Sequence, residues 1–222
     1  MRNQFEHELS LLHTELIEMG AMCEQAIEEA QQALLENDAK AAEELMTGDS
    51  TIDQKEKDIE NRCLKLMLRQ QPVASDLRKI TVALKMITDM ERIGDQAADI
   101  AEIVKTGNIP SGEAEAVRLR DMAEATKRMV TASIDAFVRE DKAKAIEVVR
   151  YDDVVDRLFD ETREALIGHI AADAAGERHG GWNASQILDL LMVAKYYERI
   201  GDHATNIAEW VIFGITGEHV YE

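Results

Sequence analysis

The chain has 222 residues, 45% of them hydrophobic but only 5% aromatic, with 12 glycines, two prolines and a formal net charge of −19. That is long enough for one large core or two small ones without staples, and so much Ala, Leu, Met, Glu and Lys predicts an all-α fold. The acidity, with a sequence pI of about 4.7, argues against binding nucleic-acid backbones, whose affinity comes from Lys and Arg displacing counterions; cations and basic protein surfaces are the expected partners.

The opening residues, MRNQFEHELSLLH, mix charges among apolar side chains and are no signal peptide. No uninterrupted apolar run of about 18 residues is present to span a bilayer, so the expected location is the cytoplasm. In the first segment Leu9, Leu12, Leu16, Met19, Cys23, Ala26, Ala30 and Ala33 recur by threes and fours, which predicts a bundle helix ending near Asn37. Asp38 then caps a second helix over about 39–70, with a bend expected near Gly48 and a stop at Gln71-Pro72. Ser75 and Asp76 open a third, whose apolar stripe of Leu77, Ile80, Leu84 and Ile87 leads to Glu91.

Most of the chain's punctuation lies in Thr106-Gly107-Asn108-Ile109-Pro110-Ser111-Gly112, near its middle, and marks the linker at about 107–112. The pattern then restarts. Leu119, Met122, Thr126, Met129, Ser133 and Ala136 give a fourth helix and Asp141 caps a fifth; the glycines between Gly176 and Gly181 break it, and a sixth runs from Trp182. Two lone cysteines, Cys23 and Cys63, have no CxxC spacing and are read as packing residues. Met86 and Met90 are expected in the core, and Trp182 and Trp210 as packing anchors.

Within this pattern one string occurs twice. Glu91-Arg92-Ile93-Gly94-Asp95 returns 107 residues later as Glu198-Arg199-Ile200-Gly201-Asp202, and Asp49-x-x-x-Asp53 returns at an offset of 103 as Asp152-x-x-x-Asp156. The chain is therefore two copies of one unit, with four residues added in the second copy's glycine-rich loop, where insertions cost least. On a helix, Asp95, Asp99 and Glu102 fall within roughly 80° of Glu91. Such a row is either a solvated face or a cation site, because like charges at i,i+4 repel.

Register favours the cation. If the second and third helices form an antiparallel hairpin, residues whose numbers sum to 148 share a height, pairing Asp53 with Asp95 and Asp49 with Asp99. The second hairpin likewise sets Asp156 beside Asp202 and Asp152 beside Asn206. Donors that are all oxygen suit hard ions, iron or manganese first, with magnesium close behind and zinc possible. None of the six histidines has a Glu three residues before it, which removes the Glu-x-x-His pattern of ferritin-like di-iron sites. His203 is expected at a helix boundary or surface, and Arg92 and Arg199 in structural ion pairs. Gly94 and Gly201, mid-helix, predict close approach of a neighbouring helix backbone.

The paired E-R-I-G-D strings, the D-x-x-x-D before each and the hairpin from Arg69-Gln70-Gln71-Pro72 to Ser75-Asp76-Leu77-Arg78 together resemble the PhoU family, over nearly the whole chain. The resemblance implies two tandem pseudo-symmetric three-helix bundles, in residues 1–107 and 113–222. It also implies two multinuclear metal clusters, one on Asp49, Asp53, Glu91, Asp95 and Asp99, the other on Asp152, Asp156, Glu198, Asp202 and Asn206. The function implied is that of a cytoplasmic accessory protein that restrains phosphate uptake and phosphate-starvation signalling. Its implied partners are the ATPase subunit of a phosphate ABC transporter and a membrane sensor histidine kinase, met at the inner face of the membrane, and the chain is expected to be a homodimer. With no phosphate-binding loop, no GxSxG and no activated cysteine, an enzyme is not expected; the alternative is a phosphoester hydrolase using two bridged ions.

Overall fold

The computed structural model describes residues 2–69, 72–106, 109, 117–174 and 182–219. They form six long helices: α1 (Arg2–Glu36), α2 (Ala39–Arg69), α3 (Ala74–Lys105), α4 (Leu119–Arg139), α5 (Lys142–Ala174) and α6 (Ala184–Thr216). The described residues contain no strand. The predicted interdomain linker, Ile109 apart, and the glycine-rich loop after α5 lie outside the described residues.

The helix boundaries follow from local chemistry. Asn37 turns left-handed after α1 (φ 51°), and Asp38 Oδ1 then accepts the Lys40 and Ala41 amides at 2.9 and 3.1 Å, starting α2. The second copy repeats the device, with Glu140 at φ 48° and Asp141 Oδ1 accepting the Lys144 amide at 3.1 Å. Side-chain acceptors of this kind satisfy amides that the first turn leaves without a partner. α3 starts slightly earlier than its sequence signals: Val73 is the N-cap, and Asp76 reaches back to its amide. α6 is capped by Asn183, in a box with Gln186, and Trp182 sits just before it, buried. α2 runs through Gly48 without a break.

Seven of the eight residues of the first apolar stripe are buried, Leu9 alone being half exposed. Met86 and Met90 are fully buried, and each such side chain contributes roughly 1.5–3 kcal/mol. Cys23 and Cys63 are buried free thiols, and burial pushes both up to about 12. Cys23 donates to the Met90 carbonyl at 3.2 Å. Trp182 stacks on His169 and Trp210 meets Phe213 edge-on.

α1, α2 and α3 pack as one three-helix bundle and α4, α5 and α6 as another, joined along α3–α6 and α1–α4. At the α3–α6 seam the helices run antiparallel: Asp89 Oδ1 accepts from Asn206 Nδ2 at 3.0 Å and Lys85 lies over the Trp210 ring. Exchanging each residue for its counterpart 107 positions away turns the Asp89–Asn206 pair into Tyr196–Asp99. Those two residues are also neighbours, since the Asp99 charge helps raise the Tyr196 hydroxyl's pKa. The repeats are therefore related by a pseudo-twofold axis through this seam. Two broad faces result, one of α2, α1, α4 and α5, the other of α2, α3, α6 and α5.

Candidate metal centre

Both acidic sets lie on the second of these faces, in the grooves of the α2–α3 and α5–α6 hairpins. In the first, Asp53 from α2 and Glu91 and Asp95 from α3 are each half-buried and offer carboxylate oxygens within 4.8 Å of one another. The antiparallel register read from the sequence does place Asp53 against Asp95. Withdrawal from water raises the Glu91 carboxyl's pKa, with the Asp95 charge adding to it, and Glu56 on α2 is raised by the same cause and by Glu60 and Asp53. Asp99 is raised by burial and by Asp95 and Glu102. Asp49 lies in α2, but its side chain falls outside the described residues.

Only Arg92 answers this charge from the same helix, its Nη1 donating to Asp95 at 2.9 Å and its Nε lying 3.5 Å from Glu91. Unmet carboxylates held together at partial burial are costly, and a hard cation is what relieves that cost. The donor set, all oxygen and drawn from two helices at one height, fits such an ion.

The second hairpin has the same residues in a different state. Asp152 is half-buried, and loss of water together with Asp156 and Asp202 pushes its carboxyl up to about 6; the Thr205 hydroxyl beside it works the other way. Asp156 and Asp202 are more exposed, both raised first by desolvation and then by Glu198. Lys195 pairs with Glu198, a cation that the first repeat lacks, since Thr88 occupies that position. Among the described residues only the first set brings three carboxylates within 4.8 Å.

Gly201 explains how α6 and α5 approach here: a Cβ at Gly201 would stand 3.3 Å from Val155 Cγ1 and 3.5 Å from Asp152 Oδ1. The neighbours are side chains, two from α5 and Met129 Sδ of α4 at 3.7 Å, and not the backbone of a neighbouring helix. Asn206 turns toward Asp89 on α3 rather than along α5. His203 is not at a helix boundary either; it lies mid-α6, half-buried, with Nδ1 3.0 Å from the same Asp89 oxygen. Sequence reasoning passed over three participants. Glu56 stands three residues beyond Asp53, and Lys195 three before Glu198, spacings that share a helix face. Asp89 left no such signal, because its partners belong to the other repeat.

The family model described as PhoU domain matches this chain twice, over residues 16–104 and 119–211. The chain belongs to the PhoU family. It is 38% identical to a protein of Clostridium acetobutylicum named phosphate-specific transport system accessory protein PhoU homolog, over 99% of this chain and 97% of that one. A Pseudomonas aeruginosa protein of the same name is 34% identical over 98% and 87%. Its fold is similar to the crystal structure of PhoU from Pseudomonas aeruginosa, at a TM-score of 0.85 with 33% identity, covering 96% of this chain and all of that one. It is also similar to the phosphate transport system regulatory protein PhoU from Streptococcus pneumoniae, at a TM-score of 0.87 with 26% identity over 98% and 100%. Each copy matched by the family model contains one E-R-I-G-D string and, before it, the Asp49/Asp53 or Asp152/Asp156 pair. No helix among the described residues is long and apolar enough to cross a membrane.

Proposed function

We propose that this PhoU-family chain is a cytoplasmic, metal-dependent accessory regulator that restrains phosphate uptake and phosphate-starvation signalling. Two repeats, 1–107 and 113–222, each carry one cluster. In this reading Asp53, Glu91 and Asp95, extended by Asp49 and Asp99, hold iron or manganese in the first. Asp152, Asp156, Glu198 and Asp202 hold the second, with Asn206 at its margin; magnesium and zinc are the other candidate ions. The carrying observation is the triad of half-buried carboxylates within 4.8 Å, drawn from two helices. Full-length similarity to proteins named as accessory to phosphate-specific transport supports the regulatory role. The chain works as a homodimer by docking on the ATPase subunit of a phosphate ABC transporter and on a membrane sensor histidine kinase, and it is not itself an enzyme.

Elemental analysis of the natively purified chain, compared with a Glu91→Ala, Asp95→Ala, Glu198→Ala, Asp202→Ala variant, tests the metal half. Iron or manganese retained by the native chain and lost from the variant is expected; equal content in both would remove the metal from the proposal. A deletion strain tests the regulatory half, with derepressed phosphate uptake expected in phosphate-rich medium.

A further inference from the structure

The symmetry kept along the acid clusters is broken on the opposite face. Between α4 and α5 runs a groove of about 840 Å3 whose lining includes Lys127, Arg128, Lys144, Arg150 and Tyr151. No α6 residue lines it, so it opens on the α2–α1–α4–α5 face. Four cations stand against three acids in its lining, a net +1 inside a chain of −19. Lys127 pairs with Glu28 across the α1–α4 seam at 2.7 Å and Lys144 pairs with Asp135. Arg128 lies over the Tyr151 ring, 4.5 Å from its centroid. Arg150 is exposed and has no ion-pair or hydrogen-bond partner among the described residues.

At the offset of 103 that relates the repeats here, the same lining positions between α1 and α2 contain no Lys or Arg and four acids, Glu24, Glu28, Glu29 and Glu44, a net −4. Glu24 stands where Lys127 does, Gln25 where Arg128 does, Ala41 where Lys144 does and Thr47 where Arg150 does. One broad face thus holds a basic groove between α4 and α5 and an acidic strip at the matching positions of α1 and α2, exchanged by the pseudo-twofold axis at the α1–α4 seam.

The geometry points to a second copy of this chain as the occupant. Consider two copies face to face, related by a true twofold lying between them at right angles to the line joining the groove to the strip. That operation sets each basic groove over its partner's acidic strip. Both docks are identical, so assembly closes at two copies instead of growing into a filament. Overall repulsion between two acidic chains is screened beyond about 8 Å at physiological salt, whereas opposed groove charges act at close range. The pairing covers the α2–α1–α4–α5 face and leaves both acid clusters open on the far side, free for metal and for regulatory partners. This inference rests on the homodimer reading above and adds the face that makes the dimer.

Analytical ultracentrifugation of the full chain and two charge-reversal variants tests it. Arg128→Glu with Arg150→Glu takes the basic groove from +1 to −3, so that both sides are negative, and Glu24→Lys, Glu29→Lys and Glu44→Lys together take the acidic positions from −4 to +2, so that both are positive. All five positions are at the surface or half-exposed, so helicity by circular dichroism is expected to be kept, and Arg150→Glu alone supplies a milder variant. The native chain is expected to be dimeric and each charge-reversal variant to dimerise on the order of 100-fold more weakly. An equimolar mixture of the two variants is expected to recover the dimer, because each reversed patch then meets an opposite one. If the native chain sediments as a monomer, the homodimer reading and this face fall together. If native and variants dimerise alike, or the mixture does not recover, the homodimer stands and this face is wrong.

Discussion

Replacing Asp152 by Asn is expected to stabilise the metal-free protein. The change keeps the side chain's shape and removes a carboxyl held at about 6 in the folded chain against a usual 3.8. A displacement of that size corresponds to roughly 3 kcal/mol at about 1.4 kcal/mol per tenfold. Partial solvation and sharing of the proton with Asp156 and Asp202 reduce the expected gain to about 1.5 kcal/mol. For a chain of this length that is a rise in Tm of roughly 3–6 °C. The pH dependence has a definite sign. Because the folded-state pKa lies above the unfolded one, the folded chain binds the extra proton between about pH 4 and 6, and the cost of ionising Asp152 appears as pH rises through that window. The chelated native chain should therefore lose stability relative to Asp152→Asn from pH 4 to 6, with the gap constant above. Thermal melts by circular dichroism after exhaustive chelation, run from pH 4.5 to 8, provide the assay. Addition of manganese should then stabilise the native chain more than the variant, since a ligand that binds only the folded state adds RT ln(1 + [L]/Kd). A metal-free variant less stable than the native chain at pH 7, or a gap that grows on acidification, would refute the reasoning.

Three more outcomes follow from the local structure. Glu140→Gly places a residue without a Cβ at a left-handed position (φ 48°) and loses an exposed Lys79 pair at 3.6 Å and a charge that acts on His13, so a gain of about 0.5–1 kcal/mol is expected in chemical denaturation. Asp89→Ala strips Asn206 and His203 of their shared acceptor in the α3–α6 seam and should cost about 1–3 kcal/mol, measured by the same method. Both thiols, buried and pushed up to about 12, should resist a colorimetric thiol reagent at pH 8 in the native chain and react fully in denaturant.

How much was legible depends on whether a residue's partners lie in its own repeat. The D-x-x-x-D and E-R-I-G-D strings reveal the first triad because hairpin register is a local property, set by one short turn between α2 and α3. The left-handed residue is plain at Asn37, a type that tolerates that conformation, and hidden at Glu140, where only alignment of the copies discloses it. His203 looks like a surface side chain until α3 is laid against α6, and Asp89 carries no sequence signal at all. Those contacts depend on how two similar bundles dock, and helix periodicity within either one does not contain that information.

Divergence of the copies also makes the two clusters unequal. The first has its three carboxylates gathered and an arginine of its own helix shared between two of them. The second has a lysine on Glu198 and a carboxyl at about 6 on Asp152. A cation entering the second must displace a lysine and, below pH 6, a proton, whereas entry to the first asks that Arg92 swing aside and meets Glu91 and Asp99 carboxyls that burial raises less than Asp152. Titration with manganese at pH 5.5 and pH 7.5 is therefore expected to weaken binding at the second cluster more than at the first on acidification. Asp53→Asn and Asp156→Asn, each removing one ligand, assign the two phases. Equal pH sensitivity in those two variants would show that the difference between the repeats has no bearing on how they take up metal.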